Sequence, residues 1–417
     1  MSYLAGLFGP SQSLNDPGHW LIRAIGGGRT HAGTTVSEYS AMQFSAVYNA
    51  VGLIADSLAQ LPLGVYKKTD NGNVLDENHR LMPVLRRRPN KYMSSFTWRQ
   101  CGQHHALLWG NSYTEIQRNN AGQAIALWPL LPDRTGPQYN PDKDDLVYYT
   151  TVAGERVPID QQNVAHIKAI GFDGYIGYPP LTMMRQAVGL ASGMEEFGGK
   201  FFANDAKSGG FLLHPGRLGA EGQKNLQASM GPEGQGGLDN AHRVKILEEG
   251  MKFIQTTIPP DDAQFLGSRS FQVEEIARFF RVPLVLMNSH ERTSALGSSV
   301  EQLLLAFVLW TLQPWVDQWE EELNEKLFTD EEKRQGYCVR FNMAALQRGD
   351  MEARSKLYTA LWQIGAISPN EVRLREDMNS DPRLNGFYVP MNFQRVDDQP
   401  GEISVPIVSE PAENIHD

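Results

Sequence analysis

Cysteine is nearly missing from this chain of 417 residues: Cys101 and Cys338 are the whole supply. Two thiols build no disulfide scaffold, and without CxxC spacing they argue for no zinc site. Long apolar runs are missing as well. The richest, "LLLAFVLWTL" at Leu303 to Leu312, is about half the ~20 residues that cross a bilayer. Met1 to Pro10 contains no basic segment followed by an apolar one, so nothing reads as a targeting signal. A soluble protein of the cell interior is expected. A basic excess is also absent. Lys and Arg number 38 against 48 Asp and Glu, a net charge of −10, and this speaks against a dedicated, tight nucleic-acid binder. No GxxxxGK[ST] loop, GxSxG elbow or HExxH helix is found. The Gly26-Gly27-Gly28-Arg29-Thr30 run has neither phosphate-loop spacing nor a strand before it. No catalytic residue, metal site or cofactor is therefore assigned.

What is present is an ordinary globular balance, 41% hydrophobic and 21% charged, with length for two or three domains. Residues 1–39 are rich in Gly, Ser and Thr and read as a flexible arm. Phe44, Val47, Val51, Ile54, Leu58 and Leu61 repeat every three or four residues, one helix face, and Pro62 ends it. "PLGVYKK" reads as a strand turning at Asp70-Asn71-Gly72. Ser94 caps a helix running to Leu108. "NSYTEIQR" and "QAIALWPLL", joined through Asn119 to Gly122, form a hairpin. Strands follow at Leu146–Val152 and Val164–Lys168, so the first block is α+β.

Residues 181–206 look helical. Residues 207–258 carry ten glycines around two strands, "GGFLLH" and "KILEEGMKFIQTTI", and a short helix at Glu221 to Met230. Residues 259–282 form a second helix, ended by Pro283. A polar loop leads into a long helix from Ser298 or Ser299 to Leu327. Pro314 inside it removes a bond to the Trp310 carbonyl and predicts a kink. Leu303 to Trp310 are apolar all round for two turns, a pattern for burial on every side. That burial can come from a central core or from neighbouring subunits. "YCVRFNM" is a further strand. Asp350 is a candidate cap, Gly365 a helix stop, and Ser368-Pro369-Asn370-Glu371 a capping box. The tail from Val396 to Asp417 holds six acids and no Lys or Arg, a composition for disorder.

Candidate chemistry is thin. Cys101 and His105 share a helix face, whereas His104 and His105 diverge, so the cluster reads as a packed helix with a polar edge. Arg86-Arg87-Arg88 is the densest basic cluster. It could touch phosphate, or be a solvated helix end that favours the dipole. His290-Glu291-Arg292 resembles a small charge network, and a general acid–base role there would need a partner nucleophile that sequence alone does not show.

The ordered segments resemble the portal proteins of tailed bacteriophages, the large family of long-tailed phages. "AVYNAVGLIADSLAQLPLGVYKK" with "HRLMPVLRRRPN" is similar to the family's N-terminal signature. "WGNSYTEIQRNNAGQAIALWPLLPDR" is similar to its hairpin. "KILEEGMKFIQTTIPPDDAQFLGSRSFQVEEIARFFRVPLVLM" is the most specific part. "SSVEQLLLAFVLWTLQPWVDQWEEELNEKL", "RFNMAALQRGD" and "GAISPNEVR" complete a similarity over roughly residues 40–391. The chain departs at Arg281-Val282-Pro283-Leu284, where the family often reads GVPP.

The resemblance implies a portal-type ring subunit, usually one of twelve at one capsid vertex, through which double-stranded DNA passes in packaging and ejection. It implies a wing (residues 40–180, joined by the long kinked helix and strand of 299–349) and two stem helices (181–206 and 259–282). It further implies a clip (207–258), a tunnel loop (283–298), a helical crown (350–391) and an acidic tail (392–417). Asn288, Ser289, His290, Glu291, Arg292, Thr293 and Ser294 would be the tunnel loop. Lys207, Arg269, Arg278 and Arg281 are the candidates facing DNA. Leu304, Phe307, Trp310, Pro314 and Trp315 are candidates for a core between subunits. The implied partners are further copies of the chain, non-specifically held DNA, the terminase large subunit, a head-tail connector, and the major capsid and scaffolding proteins. No membrane is implied. The place is the virion vertex, after assembly in the host cytoplasm. The sparse basic charge suits a channel in which DNA must slide, because every phosphate contact is multiplied around a ring. A hydrolase or nuclease with a helical lid, or a scaffold of another ring assembly, is the alternative.

Overall fold

The computed structural model describes residues 30–388 apart from 32–33, 35, 70–71, 142–143, 172, 204–209, 217–218, 231–250, 256–261, 288–299, 344–350 and 377. Two compact units result, Met1–Asn342 and Met343–Asp417.

The first unit opens with helix α1 (Glu38–Met42), capped by Ser37, and α2 (Ser45–Gln60). Val47, Val51, Ile54 and Leu58 of α2 are buried, the face that the apolar spacing predicts. Leu61 is extended before Pro62, as the proline ring requires of its predecessor. Strands β1 (Leu63–Thr69) and β2 (Gly72–Leu75) pair antiparallel. A single π turn (Pro83–Arg87) follows. Helix α3 (Ser95–Trp109) starts where the Ser94 hydroxyl accepts the Thr97 N–H at 3.1 Å, and stops at Gly110, whose φ is +74°. A side chain at Gly110 would also overlap the Tyr178 carbonyl, so two backbones cross there at a distance only glycine permits.

Six strands come next: β3 (Asn111–Arg118), β4 (Ala124–Leu130), β5 (Thr135–Asn140), β6 (Asp145–Val152), β7 (Glu155–Asp160) and β8 (Val164–Lys168). They form two antiparallel three-stranded sheets, ordered β4-β3-β8 and β5-β6-β7. The hairpin of β3 and β4 matches its sequence signal. Strands β5 and β7 carried none: "TGPQYN" and "ERVPID" hold prolines and little alternation. Each is an edge strand, where proline is tolerated and a mostly exposed β7 needs no apolar face.

The helix expected over residues 181–206 is split into α4 (Pro180–Met183) and α5 (Arg185–Ala203), with Met184 between them. Strand β9 (Gly210–Leu213), helix α6 (Ala220–Met230) and strand β10 (Lys252–Gln255) follow; β9 and β10 pair antiparallel. Helix α7 (Asp262–Phe280) ends at Arg281, a non-glycine residue with φ +56°. Next are a 3-10 turn (Leu284–Met287), α8 (Val300–Phe307), a π turn (Val308–Leu312) and α9 (Gln313–Leu327). Helix α10 (Asp330–Arg334) leads to β11 (Tyr337–Phe341), which joins β1 to give the order β11-β1-β2.

The main core gathers α2, the end of α3, the first half of α5, the last half of α7 and the end of α8. Val47, Val51, Ile54, Leu107, Met184, Val188, Ile276, Phe280 and Phe307 meet in it. The arm expected over residues 1–39 is anchored at its end. Thr30 is buried, the His31 N–H donates to Gln186 Oε1 at 3.0 Å, and the Thr34 hydroxyl donates to the Gly189 carbonyl at 2.9 Å.

The second unit holds α11 (Met351–Gln363) and α12 (Pro369–Arg375). Gly365 is left-handed at φ +69°, the stop expected of it. The Ser368 capping box is present: Ser368 N–H donates to Glu371 Oε2 at 2.7 Å, and Glu371 N–H to Ser368 Oγ at 3.2 Å. Asp350 and residues 389–417 lie outside the described residues.

Candidate assembly surface

The segment from α8 to α9 is a rod of 28 helical residues, about 42 Å long at ~1.5 Å per residue. Its two halves differ. In α9 the buried positions Val316, Trp319, Leu323 and Leu327 recur at three and four and continue the line of Leu312 in the π turn, one continuous stripe. Trp319 sits edge-on to Trp98 with ring centres 5.3 Å apart. Its indole N–H donates to Gln103 Oε1 at 2.9 Å. Gly102 of α3 makes room for it, since a Cβ there would lie 2.8 Å from the Trp319 ring.

The flanks of α9 hold two sheets. Glu320 and Asn324, four apart, face β11: Glu320 Oε1 accepts the Phe341 N–H at 2.7 Å, and Asn324 Oδ1 accepts the Val339 N–H at 2.6 Å. Glu322 faces the other way and accepts the His166 N–H of β8 at 3.0 Å. Strands β11 and β8 are edges of their sheets, so α9 supplies side-chain acceptors to N–H groups that no neighbouring strand pairs. Burial pushes both glutamates above the usual carboxylate range, an effect opposed by the N–H groups they accept.

His166 lies inside a satisfied polar cluster. Asn111 donates from Nδ2 to the Gly177 carbonyl at 2.8 Å and accepts the Gly177 N–H on Oδ1 at 2.9 Å. The Asn111 oxygen is therefore an acceptor, so His166 Nε2, 2.9 Å away, carries the proton. His166 Nδ1 then accepts from the Tyr148 hydroxyl at 3.1 Å. Burial first, then Lys168 and Lys326, holds the imidazole pKa well below its ordinary value. This cluster fixes the segment that leads from β8 into α4 and α5.

The α8 half behaves differently. Phe307 is 6% exposed, yet Leu304, Leu305, Leu309 and Trp310 are 42%, 53%, 50% and 71% exposed. The all-round burial predicted for this run is not met within one chain. The π turn lies between the two behaviours. It closes with the Gln313 N–H donating to the Val308 carbonyl, five residues back, immediately before Pro314. The widened turn accommodates a residue that has no N–H to give the Trp310 carbonyl. It also brings Phe307 and Leu312, five apart, into buried positions. The Thr311 hydroxyl donates to the Arg281 carbonyl at 2.6 Å, tying this turn to the end of α7.

Of the other residues singled out, Pro314 is exposed and Trp315 is partly buried against the main core. Arg278 is exposed, 3.8 Å from Glu275, and Arg281 is exposed. Arg269 lies on α7. Lys207 and the loop Asn288, Ser289, His290, Glu291, Arg292, Thr293 and Ser294 lie outside the described residues. Both helices flanking the glycine-rich insertion carry exposed apolar side chains: Leu190 and Phe197 on α5, Phe271 and Phe279 on α7. Sequence reasoning missed Leu305 and Leu309 as members of the exposed face, and missed the sheet-holding role of Glu320, Glu322 and Asn324. Only their even spacing on an otherwise amphipathic helix could have signalled the latter. Among the described residues no group of three or more metal-ligating side chains is found, and no helix is long and apolar enough to cross a membrane.

Comparison with known proteins gives concordant results. A family model described as phage portal protein matches residues 45–377. The portal protein of Enterobacteria phage HK97 is 32% identical over 360 residues, covering 86% of this chain and 83% of its own. A crystal structure of an HK97-family phage portal protein from Corynebacterium diphtheriae superposes with a TM-score of 0.56 at 15% identity, over 76% of this chain and 99% of that one. A chain from the neck of a native gene transfer agent particle, computed with C12 symmetry, gives a TM-score of 0.51 at 21% identity over 87% and 99%.

Proposed function

Because the chain belongs to the phage portal protein family, we propose that it forms a dodecameric ring at one vertex of a virion capsid, the passage for double-stranded DNA in packaging and ejection. The observation that carries this reading is the outward apolar face of α8. Four large side chains, Leu304, Leu305, Leu309 and Trp310, stand exposed beside a buried Phe307. A contiguous apolar face of this kind calls for a partner, and tryptophan is the residue type that most often anchors one. A ring needs two different faces per subunit whose rotation closes. The exposed aromatics of α5 and α7 supply the opposing surface, and Trp310, Leu304, Pro314 and Trp315 the first. The neck relative with twelvefold symmetry supports the subunit number.

In this reading residues 40–180 with the rod are the wing, and α5 and α7 are the stem helices lining the channel. The insertion with β9, α6 and β10 is the clip, the docking surface for the terminase large subunit and later the head-tail connector. Residues 283–298 are the tunnel loop, and α11 and α12 belong to the crown. Arg269, Arg278, Arg281 and Lys207 are the sparse cations meeting DNA. The capsid and scaffolding proteins surround the wing. Transport would be driven by the separate motor, since no phosphate-binding loop occurs in the sequence.

Negative-stain images and mass photometry of the purified protein test this. Rings with a central hole are expected. Discrete monomers or dimers with hydrolytic activity would instead support the enzyme alternative.

A further inference from the structure

The basic triplet remains unexplained by the channel. Residues 78–114 contain no Asp or Glu, in a chain with 48 of them, yet hold Arg80, Arg86, Arg87, Arg88, Lys91 and Arg99. Two of these are occupied: Arg80 is bidentate on Glu332 at 2.9 and 2.7 Å, and Arg99 is buried. Arg86, Arg87, Arg88 and Lys91 are exposed. Among the described residues only Arg86 has an ion pair, at 3.7 Å to the exposed Glu77. A helix dipole does not account for them, because Pro83–Arg87 is one five-residue π turn and a macrodipole needs many aligned peptides.

The ledge that carries these cations is rigid. Leu127 N–H donates to the Pro89 carbonyl at 2.8 Å, and buried Asn90 returns an Nδ2 bond to the Leu127 carbonyl at 2.8 Å. Asn90 Oδ1 accepts the N–H groups of Tyr92 and Met93 at 2.9 and 3.0 Å. The Lys91 ammonium lies 4.8 Å above the ring of Tyr92, itself 73% exposed. A protein-binding surface would need a desolvated apolar centre. Here the four exposed cations of residues 86–92 accompany a single exposed ring, that of Tyr92, which Lys91 already covers, and guanidinium and ammonium suit the repeated phosphates of a nucleic acid backbone.

We propose that Arg86, Arg87, Arg88 and Lys91 form a second contact for double-stranded DNA, on a turn packed against α3, β1 and β4 rather than on the stem helices α5 and α7. The contact is to phosphate, so it is indifferent to base sequence and sensitive to salt. It rests on the portal reading only in that DNA is the polymer to which the assembled protein is exposed.

A closed circular duplex tests it, because a circle cannot thread a ring. Binding of such a circle to the assembled, full-length protein is measured between 50 and 200 mM salt. Four neutralised phosphates per subunit touched predict a log–log slope of about −3.6 for one subunit, a loss of about 150-fold across that range, and a steeper one where the circle touches several. Arg86→Gln/Arg87→Gln/Arg88→Gln should cut the slope to about a quarter, near −0.9 and about 3.5-fold for one subunit. The same three positions as Lys should keep the steep slope. Arg278→Gln should leave circle binding unchanged. The proposal is overturned by no circle binding at 50 mM salt, by a triple Gln variant with the wild-type slope, by loss of rings in that variant, or by preference for poly-glutamate over DNA. Threading of linear DNA is measured in parallel, so that failure of the channel reading is seen separately.

Discussion

Replacing Glu322 tests whether α9 holds β8 by hydrogen bonding or by charge. Its Oε1 accepts the His166 N–H at 3.0 Å, and burial raises its pKa despite that bond and despite Lys326 and Lys168. Glu322→Gln keeps an acceptor oxygen and removes the cost of desolvating a charge, so stability should be unchanged or slightly higher. Glu322→Ala leaves a buried N–H unpaired, a loss of about 1–3 kcal/mol. The local assay is amide hydrogen exchange of a peptide covering residues 164–168, which should speed up about 5- to 150-fold in the Ala variant. The pH dependence has a definite sign. The folded pKa lies above the unfolded one, so the ionised form is a burden at neutral pH that fades as pH falls through the folded pKa. The advantage of Gln over Glu should therefore be largest near pH 7.5 and shrink toward pH 4.5. Exchange in the Gln variant as fast as in the Ala variant at pH 7.5 would refute this reasoning and assign the contact to the lysines.

Phe307→Ala should cost about 3–5 kcal/mol of subunit stability, read in urea unfolding, because the ring sits in the main core. Trp310→Ala, on the exposed side of the same turn, should leave that midpoint within about 0.5 kcal/mol while reducing rings in mass photometry. Gly102→Ala should shift the transition down by about 1–3 kcal/mol, since its methyl would press the Trp319 ring. Acid should destabilise the fold through buried histidines. His105 is pushed down to about 4 by burial first and His104 second, so the stability it contributes is complete above about pH 6.5. That contribution then drains by about 1.4 kcal/mol per unit as pH falls toward 4. A His105→Phe variant should lose less stability than wild type between pH 7 and 5 in the same titration.

Elements with a strong local signal were legible in the sequence. The 3.6-residue stripe of α2, the Ser94 cap, the β3–β4 turn and the Ser368 capping box each depend on neighbours along the chain. What could not be read depends on residues far apart in the sequence. Strands β5 and β7 are edges whose partners, not their own alternation, make them strands. The break at Met184 follows proline-led α4. The apolar density of Leu303 to Trp310 was visible, but not which side faces the chain's own core, because the π turn resets the register between Phe307 and Leu312. Arg86 to Arg88 were visible as charge, whereas their rigid mounting came from Asn90 and Leu127, 37 residues apart.

The way α9 straddles β11 and β8 bears on how the free protein stays in solution. An uncovered strand is a template for fibrils and sticky clumps. Two such templates are closed here by glutamate and asparagine side chains on one helix. A third, β7, is blunted by Pro158 and by the charges of Glu155, Arg156 and Asp160. Cross-β pairing through these three strands is thereby blocked in a crowded pool of free molecules.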